Sequence, residues 1–98
     1  MKTVKIGYAD YEIQEDKIAE KYDKLGRITY APQCIIVDST LNKRQGTEVL
    51  LHEILHGIST MFLETELTEK QVNVMGNGLS GCIRDNQKLF KELLDNLK

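Results

Sequence analysis

From Thr3 to Asp38 the apolar positions fall in short runs broken by turn residues; from Leu41 onward they recur every three or four residues. The first pattern belongs to strands and the second to helices. TVKIGY and YEI read as a short hairpin around an Ala9-Asp10 turn. EDKIAEKYDKLG is charged, weakly periodic and stopped by Gly26, which fits a short helix or a long loop. RITYA and CIIVD are rich in β-branched and aromatic residues and flank Pro32-Gln33 as a turn. A small sheet of three or four strands is the expectation.

In the helical part, ~100° per residue places Leu50, Leu51, Ile54, Leu55, Ile58, Met61 and Phe62 on one arc of roughly 140°. His52 and His56 fall on the opposite side, with Val49, Glu53 and Thr60 near them. Thr68 followed three residues later by Gln71 is a capping-box signature, so a second helix is predicted to begin near Glu69. Along it Glu69, Val72, Gly76, Leu79 and Ile83 recur as one inward stripe. Gly76, Gly78 and Gly81 each cost about 1 kcal/mol against Ala in a helix, which points to a closely approaching backbone or a bend. RDNQ reads as a break, and Leu89, Phe90, Leu93, Leu94 and Leu97 give a last amphipathic helix.

Composition narrows the classes. The 98 residues make one domain, 1–98, and 41% hydrophobic residues are too many for a disordered chain. A net charge of -2 with scattered Lys and Arg gives no footprint for nucleic acid. No apolar run reaches spanning length, and Lys5 and Asp10 interrupt any signal core, so a cytoplasmic protein without membrane partners is expected. Cys34 and Cys82 imply no disulfide framework and read as two small buried thiols.

The chemistry lies in VLLHEILHGIS, which holds both histidines of the chain. On a helix, H-E-x-x-H sets two imidazoles one turn apart on one face, where both reach a single zinc ion. The glutamate between them, Glu53, stands beside the metal. There it is placed to take a proton from a zinc-bound water, whose pKa falls towards ~7, and to pass it to a leaving amine. Catalytic zinc usually has three protein ligands, and no third histidine exists. Ser59 and Phe62 stand where a metzincin would need Gly and His. Glu64, Glu66, Glu69 and Asp85 are the downstream acids; Glu69 is preferred because a carboxylate on an inward stripe is expensive unless paired or bound to a cation, and Glu66 is next. Asn73, one turn after Glu69, is a candidate hydrogen-bonding partner, and Tyr30 and Tyr8 are candidate oxyanion donors.

TEVLLHEILHGIS followed by LTEKQVNVMGNGLSGCIRDN resembles the short metallopeptidase-like proteins of phages and prophages, relatives of the ImmA/IrrE zinc metallo-endopeptidases. The likeness covers roughly the last 60 residues well and GRITYAPQCIIVDSTL more weakly. It implies a minimal zincin-like α+β fold of the gluzincin type: a small sheet beside the HExxH helix, then two C-terminal helices. It matches His52, His56 and Glu69 to the family's zinc ligands and Glu53 to its general base, with one Zn2+ per chain. Gly57 stands where the family frequently has alanine. The implied function is a zinc-dependent endopeptidase in a bacterial or phage-infected cell, acting on a peptide or protein, with a regulatory protein as the substrate by analogy. RITYA or CIIVD is expected to be the edge strand along which a substrate lies. A non-catalytic zinc-binding module that binds a host or repressor protein is the alternative, and a hydrolase of non-peptide amides a third.

Overall fold

The computed structural model describes residues 2–62 and 64–98. β1 (Lys2–Ile6) and β2 (Ala9–Asp16) form one antiparallel hairpin, and β3 (Gly26–Tyr30) and β4 (Gln33–Asp38) form a second. β2 and β4 join them in parallel, giving a four-stranded sheet in the order β1-β2-β4-β3. The one-turn helix α1 (Ala19–Tyr22) links the hairpins. Three longer helices follow: α2 (Lys43–Phe62), α3 (Glu69–Asp85) and α4 (Gln87–Asn96). The fold is therefore α+β, with α2 on the sheet and α3 against α2. Among the described residues no helix is long and apolar enough to cross a membrane.

Two strand expectations need correction. Ile6 pairs with Ala9, so the first turn is Gly7-Tyr8 and not Ala9-Asp10. Gly7 has φ of 61°, which two-residue hairpins favour and which glycine adopts without a Cβ penalty. CIIVD is not an edge: β4 lies inside the sheet, and from Cys34 to Asp38 it is buried or half-buried on both faces, which suits its near-continuous apolar run. β3 is one of the two edges, with β1 at the other, and it borders α2.

Ile6, Ala9, Tyr11, Ile35 and Val37 form the buried face of the sheet, and α2 lays Val49, Leu50, Ile54 and Met61 on it. The apolar arc read from the sequence is thus divided. Ile58 is 39% exposed and Phe62 63%, while Glu53 and Gly57 are buried. A Cβ on Gly57 would stand 2.7 Å from Ile6 Cδ1, so the helix rolls its smallest residue onto the sheet. Glu53, one turn earlier, goes inward with it.

Asp38 ends β4 and ties three segments together. One of its oxygens accepts from the backbone N–H groups of Ile18 (2.9 Å) and Ala19 (3.1 Å). The other accepts from Thr40, through both its hydroxyl and its N–H. These donors hold the carboxyl at about 2, below its ordinary 3.8. A depressed folded pKa means stability that is fully present above the unfolded value and lost as pH falls through about 2. Asp38→Asn should therefore melt well below wild type at pH 6, and thermal melts from pH 5 to pH 2 should show the gap closing.

α3 begins where the capping box places it. Thr68 Oγ1 accepts from Gln71 N–H (3.1 Å), and the Gln71 side chain accepts from Thr68 N–H (2.9 Å). Val72 is fully buried on its inner side. Close approach does not account for these glycines: a Cβ on Gly76 would make only ordinary contact, 3.6 Å from Leu55 Cδ1 and 3.8 Å from His52 Cα, and Gly78 faces open space. Cys34 is buried as expected; Cys82 is exposed, on a side of α3 that no element covers among the described residues. α4 restarts after Asn86 and leaves Leu89, Leu93, Leu94 and Leu97 at least 43% exposed.

Candidate metal centre and active site

The helical hairpin α2–α3 brings the predicted donors together. Buried Ser59 on α2 accepts from the backbone N–H of Leu67 (2.7 Å), fastening the incoming chain one residue before the cap of α3. The cap then starts α3 at Glu69, over the open side of α2. Its two carboxylate oxygens lie 2.8 Å from His52 Nε2 and 2.8 Å from His56 Nε2. The two Nε2 atoms are 3.1 Å apart, with the rings edge-on and their centroids at 4.7 Å.

Could these residues hold zinc? Bonds of about 2.0–2.1 Å at tetrahedral angles put ligand atoms roughly 3.4 Å apart. The observed separations fall a few tenths of an ångström short of that, so a small outward relaxation of three side chains admits the ion. Two imidazole nitrogens and one carboxylate are also a donor set that suits zinc with a position left open. The group satisfies the distance condition for a metal site, all three donors lying within 4.8 Å of one another. Glu66, the other candidate, is exposed in the connection and stands outside this group.

One premise about Glu69 changes. Its side chain is 67% exposed, so it is not an acid forced inward; it reaches over the rim of α2 from the first turn of α3. The histidines are the enclosed members, at 18% and 22%. What selects Glu69 is its contact with both rings, not the cost of burying it.

Glu53 is the enclosed acid. It is 7% exposed and packs against the start of β3, where a Cβ on Gly26 would come within 3.0 Å of Glu53 Oε2 and 2.4 Å of Val49 Cγ1. The absent side chain at Gly26 therefore lets the strand close on the helix beside the carboxylate. Burial pushes the Glu53 carboxyl up to about 7; the Glu69 carboxylate adds to this and Lys24 opposes it. In the sequence, Gly26 reads only as the end of a helical stretch, and nothing local ties it to Glu53.

These groups line one cleft of about 900 Å³ between β3, α2 and α3. Tyr30 borders it at the end of β3 and is fixed at two points. Its hydroxyl is hydrogen-bonded to Thr60 Oγ1 (3.0 Å), and its ring meets Tyr11 edge-on at 6.2 Å. Asn73 lines the opposite wall. Tyr8 does not take part: it is 87% exposed at the tip of the first hairpin and is absent from the cleft lining. In comparisons with family models, curated proteins and solved structures, the chain matches none.

Proposed function

We propose that this chain is a zinc-dependent metallopeptidase that hydrolyses peptide bonds. The observation that carries the reading is the convergence of His52, His56 and Glu69 in an open cleft that also holds the buried acid Glu53. Zinc bound by the three donors would supply Lewis acidity, bringing the ionisation of water towards neutral pH and polarising a carbonyl.

The chain's own groups would do the rest. Glu53 carries a carboxyl balanced near neutrality, so it can accept a proton from the attacking water and return it to the departing amine. Among the described residues the edge strand β3 has backbone groups with no strand neighbour on its outer side, a template for an extended peptide. Tyr30 offers a hydroxyl proton to the oxygen on which charge develops. The same ligand set supports membership of the group that the sequence resembles.

The exposed leucines of α4 favour a second reading, a zinc-stabilised module that binds a partner protein without cutting it. Metal removal separates the two. The purified chain should contain one zinc by mass spectrometry and should cleave an unfolded protein substrate. Cleavage should stop on chelation and return with added zinc. Undiminished cleavage in a chain stripped of metal would end the peptidase reading, and a zinc-loaded chain without any cleavage would favour the module.

A further inference from the structure

A second groove, of about 450 Å³, runs between the first half of α2 and the last turns of α3. Glu48 lines both this groove and the metal cleft, so the two are neighbours, but none of His52, His56 and Glu69 reaches the second one. Its apolar surface comes from the half-buried Leu51 and Ile83, and three cations surround them: Lys43, Arg44 and Arg84. The one acid in the lining, Glu48, is already paired with Arg44 at 3.2 Å. Arg84 leans on exposed Asp85 (3.4 Å), a contact that water weakens, and Lys43 has no ion pair among the described residues. In the same wall the Ser80 hydroxyl is enclosed and has no hydrogen-bond partner among the described residues.

We propose that this groove docks a short segment of another protein, in which an aliphatic side chain stands beside carboxylates, whether or not the metal centre cleaves anything. Charge sets the sign of the partner, since Lys43 and Arg84 have no opposing charge within the groove. The apolar surface of Leu51 and Ile83 calls for a side chain that gains by leaving water, so a bare anion would leave half of the groove unused. A nucleic acid would bring phosphates but no aliphatic group, and the net charge of -2 opposes it. A peptide also brings main-chain amides. A buried polar group is ordinarily paired, and an amide beside Ser80 would supply the partner its hydroxyl lacks. From Lys43 to Leu51 the wall of α2 runs roughly 12 Å at ~1.5 Å per residue. That is the span of three or four extended residues at ~3.3 Å each.

The test uses the full chain and fluorescence polarisation of a short labelled peptide holding one leucine flanked by two glutamates. Replacing the glutamates by lysines, or the leucine by serine, should weaken binding by roughly tenfold or more. Arg84→Glu should weaken the acidic peptide to the same degree and bind the lysine peptide better than wild type does, a reversal that unfolding cannot produce. Arg84→Lys should keep the wild-type order. Binding should be unchanged in Glu53→Gln and after treatment with a chelator, which separates this groove from the metal centre and from the peptidase reading. Binding lost on chelation would place the peptide in the metal cleft and overturn the proposal. So would equal binding of acidic and basic peptides, an affinity untouched by Arg84→Glu, or no binding of any of the peptides. Octanoate held as tightly as the peptide would overturn it too, by making the ligand a simple amphiphilic anion.

Discussion

Glu53→Gln is expected to lower peptide hydrolysis by roughly 10²- to 10⁴-fold, the usual contribution of a positioned acid–base group, while zinc content stays at that of wild type. The reasoning combines position with burial. Glu53 lies outside the donor group of His52, His56 and Glu69, so losing its charge leaves the ligands in place. Gln matches its shape and fills the same space against Gly26. The variant should also fold at least as well as wild type. A carboxyl raised from 4.5 to about 7 binds a proton more tightly in the folded state, so the wild-type chain loses stability as pH climbs from 4.5 through 7. Gln carries no such penalty. Melts of the metal-free proteins should show Glu53→Gln above wild type at pH 8 and level with it near pH 4. Hydrolysis that survives the substitution would remove Glu53 from the mechanism.

The second large effect concerns the metal. Glu69→Ala should weaken zinc binding by more than the ~10- to 100-fold that partners outside the ligand shell contribute, and Glu66→Ala should leave it unchanged. Titration against a competing chelator measures both. The contrast is sharp because the two acids are neighbours in the chain yet differ in reach. Glu69 opens α3 and contacts both rings at 2.8 Å, whereas Glu66 lies before the cap. Loss of zinc affinity in Glu66→Ala alone would mean that the ligand set is drawn from the wrong residue.

Much of this was readable from residue order because the signals are local. The capping box at Thr68 and Gln71 acts over three residues and fixes the start of α3 as expected. The i,i+4 spacing of His52 and His56 needs only a helix to become a pair. Four strands and three C-terminal helices follow from runs whose period is plain. The errors have a common cause, which is that they depend on what lies across space. A helical wheel gives the apolar arc of α2 but not how much of it the sheet covers, so Ile58 and Phe62 were placed inside with the rest. It also set Glu53 on the histidine side, without the inward roll that Gly57 allows. Cys82 looked like a core thiol only because no sequence pattern says which flank of α3 lacks a neighbour. The Gly7-Tyr8 turn lies inside TVKIGY, whose β-branched residues read as one strand up to Tyr8.

The contact between Gly26 and Glu53 divides responsibility within the site. The three donors belong to a helical hairpin whose connection is fastened by Ser59 and capped by Thr68, contacts made without β3. The environment of Glu53 belongs to the seam between helix and sheet. Grip and reactivity are thus governed by separate joints of the same small fold. If the chain is the zinc peptidase proposed, damage to the seam should cost hydrolysis before zinc affinity, and damage to the connection between α2 and α3 should cost zinc affinity while sparing the enclosure of Glu53.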